Sequence, residues 1–99
     1  MSVHLPDVCV LPCRMDASSL PGTHADILRR RGADLDLEAS QVDRFGAQAL
    51  QLILSAFATW REDGFRLRIL DPSATVRAAF ESLGCEPLLN ENAETAACQ

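Results

Sequence analysis

The chain has 99 residues, of which 47% are hydrophobic and 23% are charged, and its formal net charge is −5. An acidic chain without a basic stripe does not suit nucleic acid, because phosphate binding needs clustered positive charge. Its apolar segments are shorter than the roughly 18 residues of a membrane span, and its N-terminus lacks the basic and apolar regions of a signal peptide. We therefore expect a cytoplasmic protein with neither a nucleic-acid partner nor direct membrane insertion.

In chain order, the first predicted element is a strand. The apolar run Val8–Leu11 lies between two prolines and is typical of a buried strand, and Val3–Leu5 is a second candidate that would pair beside it. A helix over Leu20–Arg31 follows, with Ile27 and Leu28 on its apolar face, and a glycine directly after it favours its end.

Ala33–Leu37 is a weaker strand candidate, and Ser40–Asp63 is the longest predicted helix. Large apolar side chains in this helix recur at the i, i+3, i+4, i+7 spacing of one helix face. They are Leu50, Ile53, Leu54, Phe57 and Trp60. Alanines and a further leucine widen this face, so we expect the helix to be covered on most sides.

The last elements are a strand over Phe65–Leu70, in which apolar residues alternate with arginines, and a helix that begins after Ser73. This helix has an apolar face that we expect to include Leu83. Pro87–Leu89 is a candidate edge element, and residues 90–99 have too little apolar mass to fold, so we expect a disordered tail.

Strands separated by helices need crossover connections, which give at least partly parallel pairing and require helical cover on the sheet. The sequence therefore predicts one α/β domain over residues 1–89, with a small sheet covered by helices.

No pattern in the chain indicates catalysis, a metal or a cofactor. His4 and His24 are far apart, the cysteines match neither a zinc site nor a CxxC motif, and no phosphate-binding glycine loop occurs. Asp34, Asp36 and Glu38 lie at alternate positions of a strand, and we interpret them as solvated edge charges. We expect a non-enzyme with reduced thiols, no cofactor and no metal.

Two segments carry a family resemblance. SQVDRFGAQALQLIL leads into the long helix, and GFRLRILDPSATVRAAFESLGC follows it. Their order resembles a STAS domain, the fold of bacterial anti-sigma-factor antagonists, and the resemblance covers roughly residues 8–89. It implies a small mixed sheet covered by α-helices and a regulatory module without catalysis.

In phosphorylatable STAS domains, a partner kinase modifies a Ser or Thr in an Asp-Ser/Thr-x-Gly turn that opens the long helix. Aligned on the apolar run after the turn, this motif falls on Gly46–Ala49 and its acceptor on Ala47. Shifted to Asp43–Gly46, the motif keeps its Asp and Gly and places Arg44 at the acceptor. Neither alignment leaves a hydroxyl, so we expect no phosphorylation there.

The resemblance also implies a docking surface around this turn and the first part of the helix. The candidate residues are Asp43, Arg44, Gly46, Ala47, Gln48 and Gln51. A cation near a helix start is unfavourable by roughly 0.3–1 kcal/mol. Arg44 is therefore either a contact for an acidic patch on a partner or a local ion pair with Asp43 or Glu38.

Two functions remain open. One is a signalling adapter that docks to a histidine-kinase-like partner, either an anti-sigma kinase or a chemotaxis kinase. The other is a small cytoplasmic subunit of a lipid or ABC transport complex, a role that other stand-alone STAS domains play.

Overall fold

The computed structural model describes residues 7–85 and 87–89, and strands and helices alternate along them. The elements are β1 (Asp7–Val10), β2 (Arg14–Met15), α1 (Leu20–Arg29), β3 (Leu35–Glu38), β4 (Arg44–Phe45), α2 (Ala47–Asp63), β5 (Leu67–Leu70) and α3 (Ala74–Ser82). The segment predicted as an edge element forms a single helical turn at 87–89. The predicted strand Val3–Leu5 and the predicted tail 90–99 lie outside the described residues.

Two small sheets organise the fold. The first has the strand order β1-β3-β5, and the second pairs β2 with β4. Every strand pair in the described part of the chain is parallel, as expected where helices connect successive strands of one sheet. The predicted α/β class, with a small sheet and α-helices, is confirmed.

The core consists of buried apolar side chains contributed by strands and helices alike. Ile27 of α1, Leu37 of β3, Ile53 of α2 and Phe80 of α3 have no solvent-exposed surface. Complete burial of such a side chain contributes roughly 1.5–3 kcal/mol, so these contacts between elements hold the helices against the sheet.

The long helix starts later than predicted. It begins at Ala47 rather than Ser40, because Arg44 and Phe45 form β4 and pair with β2. Gly46 is the N-cap, with an extended backbone (φ −98°, ψ −168°). The start of α2 is therefore tied to the second sheet.

One face of α2 is buried, and the prediction that it is covered on most sides is wrong. Leu50, Ile53, Phe57 and Trp60 are buried as predicted, whereas Leu54 is only half-buried. Gln51, Ser55 and Ala58 are exposed on the opposite side. Because the sheet has only three short strands, one stripe of the helix is sufficient to cover it.

The C-terminus of α2 is closed by Gly64 in the left-handed region, at φ 83°. The Gly64 and Phe65 amides donate to the carbonyls of Arg61 and Trp60, at 3.1 and 3.0 Å. This arrangement is the Schellman motif, which glycine favours because it has no Cβ. It also corrects the start of the last strand: Phe65 caps the helix and is 40% exposed, and β5 begins at Leu67.

Some apolar residues of β1 and α1 that were predicted to be buried are exposed. In β1 only Cys9 is buried, while Val8 and Val10 are 45% and 63% exposed, because β1 is an edge strand whose successive side chains point to opposite faces of the sheet. Leu28 is 40% exposed, since Leu20, Thr23 and Ile27 form the buried face of α1.

The predicted start of α3 is confirmed. Ser73 is its N-cap, and the Ser73 Oγ accepts a hydrogen bond from the Val76 amide at 3.3 Å. The same hydroxyl donates to the Val42 carbonyl at 2.6 Å. Ser73 therefore joins the start of α3 to the loop that precedes β4.

Asp36 contradicts the interpretation of the β3 acids as solvated edge charges. β3 is the central strand of its sheet, and Asp36 is only 6% exposed. Its carboxylate pairs with Arg68 on the neighbouring strand. Asp34 is exposed as predicted, and Glu38 is half-buried.

Candidate functional site

The six residues predicted to bind a partner lie together where the second sheet meets α2. Asp43 and Arg44 precede the turn, Gly46 caps the helix, and Ala47, Gln48 and Gln51 lie in its first two turns. All six are exposed. We call this set of residues the docking edge; that it binds a partner remains a prediction.

Ala47 is the first residue of α2, which places the predicted acceptor position at the helix N-terminus. Backbone N–H groups in a first helical turn have no partners within the helix. The first turn of α2 contains no acidic residue, and its N-cap makes no side-chain hydrogen bond. The start of α2 therefore presents backbone N–H groups that no acidic side chain of its first turn compensates, and it lacks a side-chain hydroxyl at position 47.

A cleft runs along one side of the docking edge. It begins between the first turn of α2 and the β2–α1 loop, where Met15 and Asp16 line it. It continues between α1 and α2, where Leu20, His24 and Leu52 line it. His24 is exposed at the rim, which agrees with its interpretation as a surface histidine.

Asp16 brings a fixed negative charge to this cleft. Its Oδ1 accepts hydrogen bonds from the Ser18 hydroxyl at 2.8 Å and from the Ser18 amide at 3.2 Å. These bonds hold the pKa of Asp16 below its ordinary value, chiefly through the hydroxyl, and the positive charge of Arg14 adds a smaller contribution. Asp16 therefore stays ionised at neutral pH.

A second cleft lies on the other side of the docking edge, between the start of α2 and α3. It is lined by Phe45, Leu50, Ala79 and Leu83, together with Gly46 and Ala47 of the docking edge and Ser82. Leu83 is 63% exposed, which corrects the expectation that it belongs to the buried face of α3. An exposed leucine beside the acceptor position makes this side of the docking edge apolar.

Arg14 joins the site, and the sequence reading missed it. It lies directly opposite Arg44 in the parallel pair β2–β4, and both arginines are exposed. A two-residue strand has no periodic pattern that would reveal it, so no signal in the sequence could have placed these two arginines side by side.

The predicted local partners of Arg44 are absent. Across residues 7–85 and 87–89, the Arg44 side chain makes no hydrogen bond or ion pair with Asp43 or Glu38. The Glu38 carboxylate instead accepts from the Ser40 hydroxyl at 3.0 Å. The structure therefore does not contain the predicted local ion pair, and contact of Arg44 with a partner stays a prediction.

The described residues contain no group of three or more histidine, cysteine or acidic side chains that could hold a metal ion. None of their helices is long and apolar enough to cross a membrane. What the site offers is an exposed helix start between two clefts, an arrangement suited to contact with another macromolecule.

Comparison with known families agrees with this arrangement. A family model described as "Mlab, STAS domain" matches residues 13–90, which is most of the chain. The chain therefore belongs to the STAS domain family, whose members mediate protein interactions and are generally non-catalytic. Searches of curated proteins and of solved structures give no match.

Proposed function

We propose that this chain is a non-catalytic docking module of bacterial signalling. It binds a histidine-kinase-like partner, an anti-sigma kinase or a chemotaxis kinase, through the docking edge, and it is not itself phosphorylated. The observation that carries this proposal is Ala47, exposed at the first position of α2. A phosphorylatable STAS domain has its Ser or Thr at the corresponding place.

The nearest hydroxyl before this position does not replace the missing acceptor. Ser40 lies seven residues before Ala47, on the far side of β4, and its Oγ donates to the Glu38 carboxylate. A phosphoryl group adds about −1.5 to −2 charges, and next to Glu38 it would be repelled. The docking edge therefore has no phosphorylation switch, and binding is constitutive.

The shape of the site supports a protein as the partner. The docking edge projects between two clefts, so a partner that contacts it also reaches Leu52 on one side and Leu83 on the other. Interfaces between proteins combine such apolar contacts with a polar rim. Both candidate roles place the protein in the cytoplasm.

The proposal is tested by a binding measurement. The purified chain is mixed with the ATP-binding domain of the histidine kinase whose gene lies nearest to its own. The variant is Ala47→Asp, which introduces a negative charge at the position of the missing phosphate. Ala74→Asp is the matched control, because Ala74 is also exposed at the first position of a helix, α3. Acids at a helix start stabilise by about 0.3–1 kcal/mol, so both variants should fold.

We expect the kinase domain to bind the unmodified chain and Ala74→Asp equally, and Ala47→Asp at least about tenfold more weakly, since a new charge in an interface costs on the order of 1.4 kcal/mol or more. Arg44→Glu and Gln48→Glu should weaken binding too. Equal binding of all variants, or no binding of the unmodified chain, would count against the proposed partner and surface.

A second candidate is a small subunit of a lipid or ABC transport complex. Ala47 favours it as well, since a permanent subunit needs no phosphoacceptor at the helix start. Co-purification from the native host with a permease and an ATPase, lost on Ala47→Asp and retained on Ala74→Asp, would support this candidate. Co-purification with a kinase and a response regulator would support the first.

A further inference from the structure

We propose that Arg14 and Arg44 form a single binding site for an acidic side-chain cluster on a protein partner. The inference rests on the proposed docking function and adds the chemistry of the partner surface. It places the partner's carboxylates over the outer face of the β2–β4 pair, next to the docking edge.

The register of the second sheet fixes the geometry. Arg14 lies opposite Arg44, and Met15 lies opposite Phe45. Met15 is 2% exposed, and the Phe45 ring stacks on Phe80 with 6.2 Å between the ring centroids. Successive side chains of a strand point to opposite faces, so the two arginines share the outer face.

Four arginines of the chain have an ion pair that Arg14 and Arg44 lack. Arg61, Arg66 and Arg77 also lack one within the described residues, but they do not lie opposite another arginine in a strand pair. Arg29, Arg30, Arg31 and Arg68 each pair with a carboxylate. Within residues 7–85 and 87–89, neither Arg14 nor Arg44 has a side-chain hydrogen bond or ion pair. Like charges directly opposite in a sheet are destabilising.

The acidic residues nearest in sequence, Asp16 and Asp43, do not form ion pairs with Arg14 or Arg44. Asp16 accepts its hydrogen bonds from Ser18, and although the charge of Arg14 reaches it, no ion pair forms. Asp43 precedes Arg44 and is exposed, and within the described part of the chain its side chain forms an ion pair with neither arginine. Two adjacent guanidinium groups therefore face solvent on a chain whose net charge is −5.

Arginine pairs of this kind favour carboxylates on a protein. The planar guanidinium forms two parallel hydrogen bonds with a carboxylate, and arginine is enriched in protein interfaces. A membrane surface is recognised by clusters of about 4–8 basic residues, and two arginines on an acidic chain fall short of that. Because the net charge of the chain is −5, most of its surface would repel an acidic partner. Binding at the two arginines would therefore also set the orientation of the partner.

The test uses a synthetic hexaglutamate peptide and the full chain labelled with ¹⁵N. Resonances of the side-chain Nε–H groups are followed during titration at low salt. We expect those of Arg14 and Arg44 to shift together. Because an exposed ion pair contributes up to about 1 kcal/mol, Arg14→Glu and Arg44→Glu should each weaken binding about fivefold. Arg66→Glu is the matched control, as Arg66 is exposed, has no side-chain ion pair among the described residues and lies directly before β5 of the other sheet.

Two further measurements separate binding from folding. Arg14→Gln with Arg44→Gln removes the repulsion, so this double variant should unfold at the same or higher urea concentration while losing peptide binding. Arg14→Lys with Arg44→Lys keeps the charge and should retain part of the binding.

Peptide binding that depends on both arginines supports the inference even if the kinase domain does not bind, in which case the proposed function alone fails. Absence of peptide binding, or binding that Arg14→Glu and Arg44→Glu leave unchanged, overturns it. Stronger arginine-dependent binding to phosphatidylglycerol vesicles than to the peptide also overturns it, in favour of a lipid surface.

Discussion

Asp36 and Arg68 face each other on neighbouring parallel strands and form two hydrogen bonds, Nε to Oδ1 at 2.9 Å and Nη2 to Oδ2 at 3.0 Å. The Asp36 side chain is 8% exposed and the Arg68 side chain is 33% exposed. Hydrogen bonding to Asp36 raises the pKa of Arg68. The central strand β3 therefore holds a charge on the sheet face opposite the core, fixed by its neighbour β5.

Replacing Asp36 with Ala should lower the free energy of unfolding by about 2 kcal/mol, because a hydrogen bond to a charged group is lost and Arg68 loses its partner. The value stays below that for a fully buried pair, since Arg68 reaches water. Urea unfolding measures the change. Glu81→Ala is the control at an exposed, unpaired acid and should change the stability by less than about 0.5 kcal/mol. Equal effects of the two substitutions would show that the pair contributes nothing.

Adjacent positions of α2 should differ sharply in their tolerance of truncation. Ile53 has no exposed surface, whereas Leu54 is half-buried. Ile53→Ala should cost about 3 kcal/mol, since a fully enclosed side chain leaves a cavity, and Leu54→Ala should cost at least about 1 kcal/mol less. Urea unfolding of both variants measures the difference. A larger cost at Leu54 would mean that the helix presents a different face to the sheet.

Cys9 should remain a thiol at a pH where an ordinary cysteine ionises. Burial, then the hydrogen bond that its Sγ donates to Asp26 at 3.2 Å, raises the pKa of Cys9 to about 11. A folded-state pKa above the unfolded value of 9.0 stabilises the fold below pH 9. That contribution is lost as the pH rises from 9 towards 11.

Alkylation with iodoacetamide at pH 9, followed by peptide mass analysis, checks this expectation. The exposed Cys13 should react and the buried Cys9 should not, while both should react in urea. The sequence has neither Tyr nor Lys, so few other groups titrate in this range, and Cys9→Ala should flatten the fall in stability above pH 9. Rapid labelling of Cys9 in the folded protein would contradict the assigned burial.

Restoring a hydroxyl at the start of α2 should restore a phosphorylation site. Incubation of the unmodified chain with the neighbouring kinase and ATP should leave its mass unchanged, because Ala47 has no acceptor atom. Ala47→Ser should gain one phosphoryl group, which the free amides of the first turn stabilise. Ala74→Ser is the control on α3 and should gain none. Phosphorylation of the unmodified chain would contradict the proposed constitutive role.

Local signals in the sequence predicted most of the fold. Helical periodicity identified the buried face of α2 at Leu50, Ile53, Phe57 and Trp60, and the capping preference of Ser73 located the start of α3. These features depend on residues within a few positions of one another. The α/β class was predicted from the same kind of local signal, because strand patterns alternate with helix patterns along the chain.

Features set by long-range pairing could not be predicted in this way. The burial of Asp36 depends on the central place of β3 and on Arg68, 32 residues further along the chain. The late start of α2 depends on the pairing of β4 with β2, two strands of only two residues each. At the candidate site, the resemblance predicted the acceptor position at Ala47. The placement of Arg14 opposite Arg44 depends on strand pairing and could not be predicted from local sequence.

The position of Trp60 has a practical consequence for every variant discussed above. It is the single Trp of the chain, is 1% exposed, and donates from its indole Nε1 to the Ala33 carbonyl at 2.8 Å. At 1.5 Å rise per residue, it lies about 20 Å along α2 from Ala47. The protein thus carries an intrinsic fluorophore whose emission reports unfolding from the end of α2 that is remote from the docking edge. The emission wavelength of Trp60 therefore distinguishes a folded variant that fails to bind from a variant that fails to fold.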